Sequence, residues 1–371
     1  MKTMQLVPAM EQGGVERGIV EVNRAIVGAG WENVVVSAGG RLVAEIEKDG
    51  ARHCTLDVKR KNPLTYLSRA MKLRRLLEKE RPDVVCVHSR VPAWLFVWAN
   101  RTLGIKWISF AHGANSVSAY SRVMTMGDLV VTPSQYIADY LKANYRFDSS
   151  RIRVIPRAID RGKFDPERLD GDFVESKKRE WETEGRFVVM GLGRITQLKG
   201  YDILIRAVAG LGGKFKLVIV GEAEKLRKDV EESLKSLVLE LGAGDRVVFA
   251  GNQSKVAECL SIADVVVSSN IRKAEAFGRS MAEALAMDKP VVAKAFGGAL
   301  DVVRDGVDGV LVKDDGTMSA EEEFAGAIAR VSEMKFSGLR RDALERFDFS
   351  KMLEKSLDVY RELKPEHRAK P

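Results

Sequence analysis

Two doubly wound α/β domains, each a parallel sheet with helices on both faces, are predicted by three observations. The chain has 371 residues, more than one domain of ordinary size holds. Short β-rich runs alternate with helical stretches in both halves. A polar stretch over 161–185, with Pro166, Gly171, Gly185 and a Lys-Lys-Arg run, separates the two series and reads as an inter-domain connection. The expected domains are 1–165 and 186–348.

In the first series the strand candidates are Met4–Val7, Asn33–Ser37, Val84–Val87, Trp107–Phe110, Leu129–Thr132 and Ile152–Ile155. The intervening helices are expected over Glu16–Val27, Pro63–Lys79, Pro92–Leu103 and Ser134–Asn144. Helix 63–79 is expected to place Leu64, Leu67, Met71, Leu76 and Leu77 near one face. The second series has strands at Phe187–Gly191, Lys216–Val220, Val247–Ala250, Val265–Ser268, Pro290–Ala293 and Gly309–Val312. Its helices fall at Gly200–Ala209, Lys225–Leu241, Lys255–Ile262, Ser280–Met287, Leu300–Arg304 and Ala320–Met334. A last amphipathic helix follows the second core, Phe349 to Leu363. Ligands of open α/β sheets bind at the carboxyl ends of the strands, which directs the search for a site.

Composition narrows the class. Apolar residues make up 45% and charged residues 30%, suited to packed cores under a solvated surface. The first residues lack the basic-then-apolar pattern of a signal peptide. The most apolar window, Val91 to Phe110, is broken by Asn100, Arg101, Gly104 and Lys106 and falls short of a membrane span. Cys54, Cys86 and Cys259 are odd in number and far apart, implying neither a disulfide framework nor a metal site. A cytoplasmic location is expected. Residues 1–160 carry 24 Lys+Arg against 15 Asp+Glu, whereas 161–371 carry 36 against 37. The basic excess therefore belongs to the first half, clustered at Lys59, Arg60, Lys61, Arg69, Lys72, Arg74 and Arg75. It reads either as a solvated helix face or as attraction to an anionic surface or acceptor, including the inner face of a membrane. No stacking platform or nucleic-acid motif accompanies it, which argues against nucleic acid.

The chemistry-bearing residues lie at strand ends. Glu275 and Glu283 enclose Phe277-Gly278-Arg279 and a helix start. Carboxylates accept from hydroxyls and a helix N-terminus favours an anion, a combination that fits part sugar, part diphosphate. Gly191-Leu192-Gly193-Arg194 is followed by Lys199-Gly200. Arg194 and Lys199 are five apart, so both can face one anion and neutralise charge on a departing phosphate oxygen; surface charge around a glycine turn is the competing account. Gly13-Gly14 after the first strand allows close backbone approach to a ligand, and a plain tight turn explains it equally well. His112, in Phe110-Ala111-His112-Gly113, ends a strand, where a buried structural histidine is the alternative. A third glycine is missing, Thr196 standing in its place, which weighs against a nicotinamide fingerprint. No Asp-x-Asp stands near a strand end, which argues against a metal-held diphosphate.

Together these strings resemble the retaining GT-B-fold glycosyltransferases of family 4, from Gly13-Gly14 to about Val312. The specific parts are Glu275-Ala-Phe-Gly with Glu283 and Lys289-Pro-Val-Val, then Gly297-Gly298; Gly193-Arg194 with Lys199-Gly200; and the Asp264–Val267 strand. The resemblance implies the GT-B architecture, two Rossmann-like domains facing a central cleft. A final helix over 349–365 would return to the first domain. The first domain would bind the acceptor and the second a nucleotide-diphosphate sugar, with UDP-sugar favoured over GDP-sugar. Arg194 and Lys199 would contact the diphosphate, Glu283 the ribose, and Glu275 the donor sugar. Backbone around Phe277, Gly278 and Arg279 would support both, and Asn252 onward would line the base. Gly13-Gly14 would close over the diphosphate, with His112 near the reacting carbon. No metal or other cofactor is implied, and the anomeric configuration is retained. Asp288 and Arg157 stand where the family often has Gly and Asn.

Val91-Pro-Ala-Trp94 and Tyr120-Ser-Arg-Val-Met124 are similar to transferases of lipopolysaccharide core assembly. That implies a cell-envelope glycolipid acceptor and peripheral contact with an anionic membrane through the basic half. Two alternatives share the resemblance: a nucleotide-sugar 2-epimerase or glucan synthase of the same fold, and a catalytically degenerate nucleotide- or membrane-binding scaffold.

Overall fold

The computed structural model describes residues 1–11, 13–313 and 316–364. Gln12 and residue 365, the expected end of the return helix, lie outside the described residues, as does His367. The chain forms two compact units: Met1–Arg157 with the C-terminal segment from Ser350, and Ala158–Phe349.

The first unit contains β1 (Lys2–Leu6), α1 (Gly14–Gly28), β2 (Glu32–Ser37), α2 (Val43–Lys48), β3 (Arg52–Thr55) and α3 (Tyr66–Glu80). It continues through β4 (Val84–Val87), α4 (Arg90–Ala99), β5 (Lys106–Phe110), β6 (Leu129–Thr132), α5 (Gln135–Asn144) and β7 (Ile152–Val154). All seven strands are parallel, in the order β3-β2-β1-β4-β5-β6-β7. The central strands are buried along their length, Val84-Val85-Cys86-Val87 wholly so, because helices cover both faces of such a sheet. The order reverses between β1 and β4, which places a topological switch point at the ends of Leu6 and Val87.

The second unit begins with α6 (Gly171–Glu180), β8 (Phe187–Leu192), α7 (Tyr201–Gly210), β9 (Phe215–Val220), α8 (Lys228–Glu240) and β10 (Val247–Gly251). There follow α9 (Val256–Ile262), β11 (Val265–Ser268), α10 (Arg279–Ala286), β12 (Val291–Lys294), α11 (Ala299–Val302), β13 (Gly309–Val312), α12 (Ala320–Glu333) and α13 (Leu339–Arg346). Its six-stranded sheet runs β10-β9-β8-β11-β12-β13, and the order reverses between β8 and β11. The last helix, α14 (Phe349–Glu362), belongs to the first unit from Ser350 onward, where its buried Tyr360 reaches Cys86 of β4.

Three expectations are corrected. Residues 161–185 pack within the second unit instead of forming a free connection: Phe164 and Trp181 are buried in its core and α6 packs on α9. The change of unit along the chain falls at Arg157–Ala158, and the first unit does not extend to 165. In α3 the buried face holds Ala70, Leu73 and Leu77, while Leu67 and Met71, and Leu64 in the turn before the helix, are exposed, Leu64 at 91%. The buried stripe of Ala70, Leu73 and Leu77 belongs to a helix packed on α4, and Leu67 and Met71 fall on the outer face. Among the described residues no helix is long and apolar enough to cross a membrane.

Candidate functional site

In the second unit, the turn after β8 and the loop after β11 meet at the switch point. Gly200 has φ +65°, and a Cβ there would lie 2.1 Å from the Ser269 carbonyl oxygen, so only glycine lets the two segments close. Ser269 Oγ donates to the Lys199 carbonyl at 3.0 Å, locking the contact. Lys199 Nζ thereby reaches Glu275 Oε1 in an ion pair, and Asn270 Nδ2 donates to the same oxygen at 2.8 Å. Both charged side chains are largely covered, 27% and 17% exposed. Covering an ion pair strengthens its attraction and raises the cost of removing one partner. The Gly298 N–H holds the Glu275 carbonyl at 2.8 Å. Gly193 packs against the Lys199 stem, its carbonyl held by the Tyr201 hydroxyl at 3.0 Å.

Gly278 precedes α10, whose first residue is Arg279; Arg279 Nε donates to Glu283 Oε1 at 3.1 Å, one turn along. Phe277 is buried edge-on against Phe347, anchoring the loop that carries Glu275. Arg194 is not gathered with Lys199: it is exposed and pairs with Glu224 at 2.5 Å. Asn252 is exposed just beyond β10. Sequence reasoning missed Asn270, although its place two residues past β11 at the switch point marks it in retrospect.

The first unit holds a second polar cluster at its own switch point. The Arg157 Nη2 lies 2.9 Å from His112 Nδ1, His112 Nε2 2.9 Å from His88 Nδ1, and His88 Nε2 3.0 Å from Gln5 Oε1. A guanidinium only donates, so His112 Nδ1 accepts. His112 Nε2–H then donates to His88 Nδ1, and His88 Nε2–H to the Gln5 carbonyl oxygen. Every ring nitrogen is engaged and both tautomers are fixed. His88, His112 and Phe110 stack, with the Arg157 guanidinium 5.3 Å from the Phe110 centroid. Burial first, and then the Arg157 charge, lower the His88 pKa to about 3 and that of His112 well below the usual value. Arg157 has room because α1 carries Gly18, whose Cβ would sit 2.1 Å from its Nη1. His112 also lines an open cavity of about 240 Å³ with Glu16, Arg90, Gly113 and Asn115. Gly14 starts α1, and Gly13 directly precedes it. Residue-by-residue reading singled out His112 but not His88, Gln5 or Gly18.

A pair of doubly wound domains, each with polar residues gathered at its switch point, defines a two-domain α/β class of protein that binds ligands at the carboxyl ends of its strands. Family models sharpen this. "Glycosyltransferase Family 4" matches residues 12–163 and "Glycosyl transferases group 1" matches 173–347. The chain belongs to this glycosyltransferase family, with the GT-B fold. A D-inositol 3-phosphate glycosyltransferase of Acidothermus cellulolyticus is 33% identical over 66% of this chain and 56% of the relative. The chain thus spans about half the length of the curated relatives it matches. A glycosyltransferase from Rickettsia africae has a TM-score of 0.88 at 27% identity, covering 99% of both chains. An Anabaena protein solved with UDP and glucose has a TM-score of 0.81 at 20% identity, over 98% of this chain and 100% of its own, a likeness of fold.

Proposed function

We propose that the protein transfers a hexose-type sugar from a nucleotide-diphosphate sugar to an acceptor hydroxyl, with retention and without metal. The observation that carries this is the Lys199–Glu275–Asn270 cluster at the β8/β11 switch point, in a chain of this family. An arriving diphosphate would take Lys199 from Glu275, freeing a carboxylate for the sugar hydroxyls. Arg194, on an exposed side chain, would swing from Glu224 to the same phosphates. Glu283 would accept from the ribose. The α10 N-terminus with the Phe277–Arg279 backbone would face phosphate and sugar. Asn252 would line the base, and Gly13-Gly14 would approach the diphosphate.

In the transfer the bond from the anomeric carbon to the phosphate oxygen breaks, and a bond to the acceptor oxygen forms on the same face. The acceptor proton passes to the departing phosphate oxygen, so no protein base is required. Lys199 and Arg194 stabilise the charge that grows on that oxygen. His112, neutral and with both ring nitrogens occupied, would orient the sugar and exchange no proton with it. The first unit would hold the acceptor. Its basic excess and the exposed Leu64, Leu67 and Met71 support a cell-envelope glycolipid and contact with an anionic membrane at the cytoplasmic face. UDP-sugar is the favoured donor, in keeping with the fold shared with the Anabaena protein.

The test is nucleoside-diphosphate release from a panel of UDP- and GDP-sugars, with and without a glycolipid extract and soluble phosphorylated acceptors. Acceptor-dependent release with one donor is expected. Absence of acceptor-dependent release with every donor would overturn the proposal.

A further inference from the structure

We infer that the first unit carries a binding site for a phosphorylated sugar or cyclitol, in the groove between the Asn62–Tyr66 turn and an aromatic shelf of Trp94 and Tyr120. Naming that ligand as the acceptor rests on the transferase reading; the site itself does not. The groove has a volume of about 450 Å³, within the size of small-molecule sites, and no described residue lining it is acidic.

The shelf is built before any ligand arrives. The Tyr66 hydroxyl donates to the Trp94 carbonyl at 2.8 Å, and Trp94 Nε1 donates to the Tyr120 carbonyl at 2.8 Å. The Trp94 and Tyr120 rings stack with centroids 6.4 Å apart. Two of the aromatic polar tips are therefore spent within the shelf, and Tyr120 remains 41% exposed. Aromatic faces fixed this way suit the C–H face of a sugar ring, and pre-organisation lowers the ordering cost of binding.

The opposite wall is braced by a buried cation. Arg69 donates to the carbonyls of Thr65, Asp57, Arg60 and Asn62 at 3.3, 3.3, 2.7 and 3.0 Å. Its charge goes into holding the turn, which displays Arg60 and Lys61 at the groove. Arg60 is exposed and shared with Asp57 at 3.2 Å, whereas Lys61 has no ion pair among the described residues. An exposed ammonium and an exposed guanidinium beside an aromatic face select an anionic carbohydrate over a neutral one.

Arg90 links this groove to the His112 cavity. It lines that cavity, donates to Ser121 Oγ at 3.0 Å, and lies 5.6 Å from the Tyr120 centroid. A ligand on the shelf would thus lie beside the cavity in which His112 is fixed. Leu64 at the tip of the turn would meet whatever follows the phosphate.

Saturation-transfer NMR on the full chain tests this with glucose 6-phosphate, myo-inositol 1-phosphate, glucose and inorganic phosphate. At least one phosphorylated probe should bind, more tightly than glucose or phosphate. Lys61→Glu and Tyr120→Ala should each weaken it at least about tenfold, with UDP and GDP binding unchanged. Absence of binding, or binding that survives both substitutions, would overturn the site. Vesicles containing phosphatidylinositol identify the source. Retention that soluble probe displaces assigns a lipid-borne headgroup to this groove, and probe binding without vesicle retention assigns a free sugar phosphate. Vesicle binding untouched by both substitutions would count against the groove. Probe binding with no nucleotide-sugar turnover would remove the transferase reading and leave this site standing.

Discussion

At the β8/β11 switch point a cation meets a carboxylate, Lys199 against Glu275. At the β1/β4 switch point two neutral imidazoles are strung between a guanidinium and an amide. The folds of the two units are alike, yet these clusters are prepared for different tasks. An ion pair can be re-partnered by an incoming anion. The two imidazoles have no donor or acceptor to spare, the buried Gln5 Nε2 at one end is unpaired, and the charge sits at the other end in Arg157. The second unit is thus suited to receive a charged ligand and the first to hold a shape.

That contrast can be broken in order of expected effect. Lys199→Ala should lower turnover by a hundredfold or more, because charge on the leaving phosphate loses its partner; steady-state rates within tenfold of wild type would refute the role. Next come two glycines. Gly200→Ala places a Cβ against backbone at positive φ and should cost ~2–4 kcal/mol in urea unfolding. Gly18→Ala meets only the end of the Arg157 side chain and should stay within about 1 kcal/mol, since helix propensity favours alanine. Equal costs would mean that the two seats are built alike.

A further effect appears in acid. His88 has a folded pKa near 3, against about 6.5 unfolded, so below pH ~6.5 the unfolded chain binds a proton that the native ring refuses. Stability should fall as pH drops from there toward 3, by up to ~1.4 kcal/mol per pH unit for this ring. Replacing the cation with Arg157→Gln should raise both imidazole pKa values and shorten the window. Denaturation midpoints between pH 7 and 3 measure it, and a loss of stability that ends at the same pH in Arg157→Gln would contradict the charge assignment.

The same contrast explains what could be read from sequence. Val84–Val87 and Leu129–Thr132 are apolar runs bounded by polar residues, and the structure forms strands over the same residues. β3, Arg-His-Cys-Thr at a sheet edge, and the six-residue α2 carry too little apolar pattern to be seen. α6 has no buried residue, so its charge concealed a packed helix between buried Phe164 and Trp181. In the second unit the turn Gly193–Gly200 and the loop Glu275–Glu283 are each contiguous, so the residues could be named, although Arg194 turns aside to Glu224. The first unit's chain joins residues 24, 45 and 83 apart, contacts that strand order creates and no local pattern announces.

The central claim is that Lys199 passes from Glu275 to the donor diphosphate. Calorimetric titration of UDP and GDP into the wild-type chain and Lys199→Ala tests it most directly. One nucleotide should bind the wild type and bind the variant at least about tenfold more weakly. Equal affinity in the two proteins, or no binding of either nucleotide to the wild type, would contradict the account.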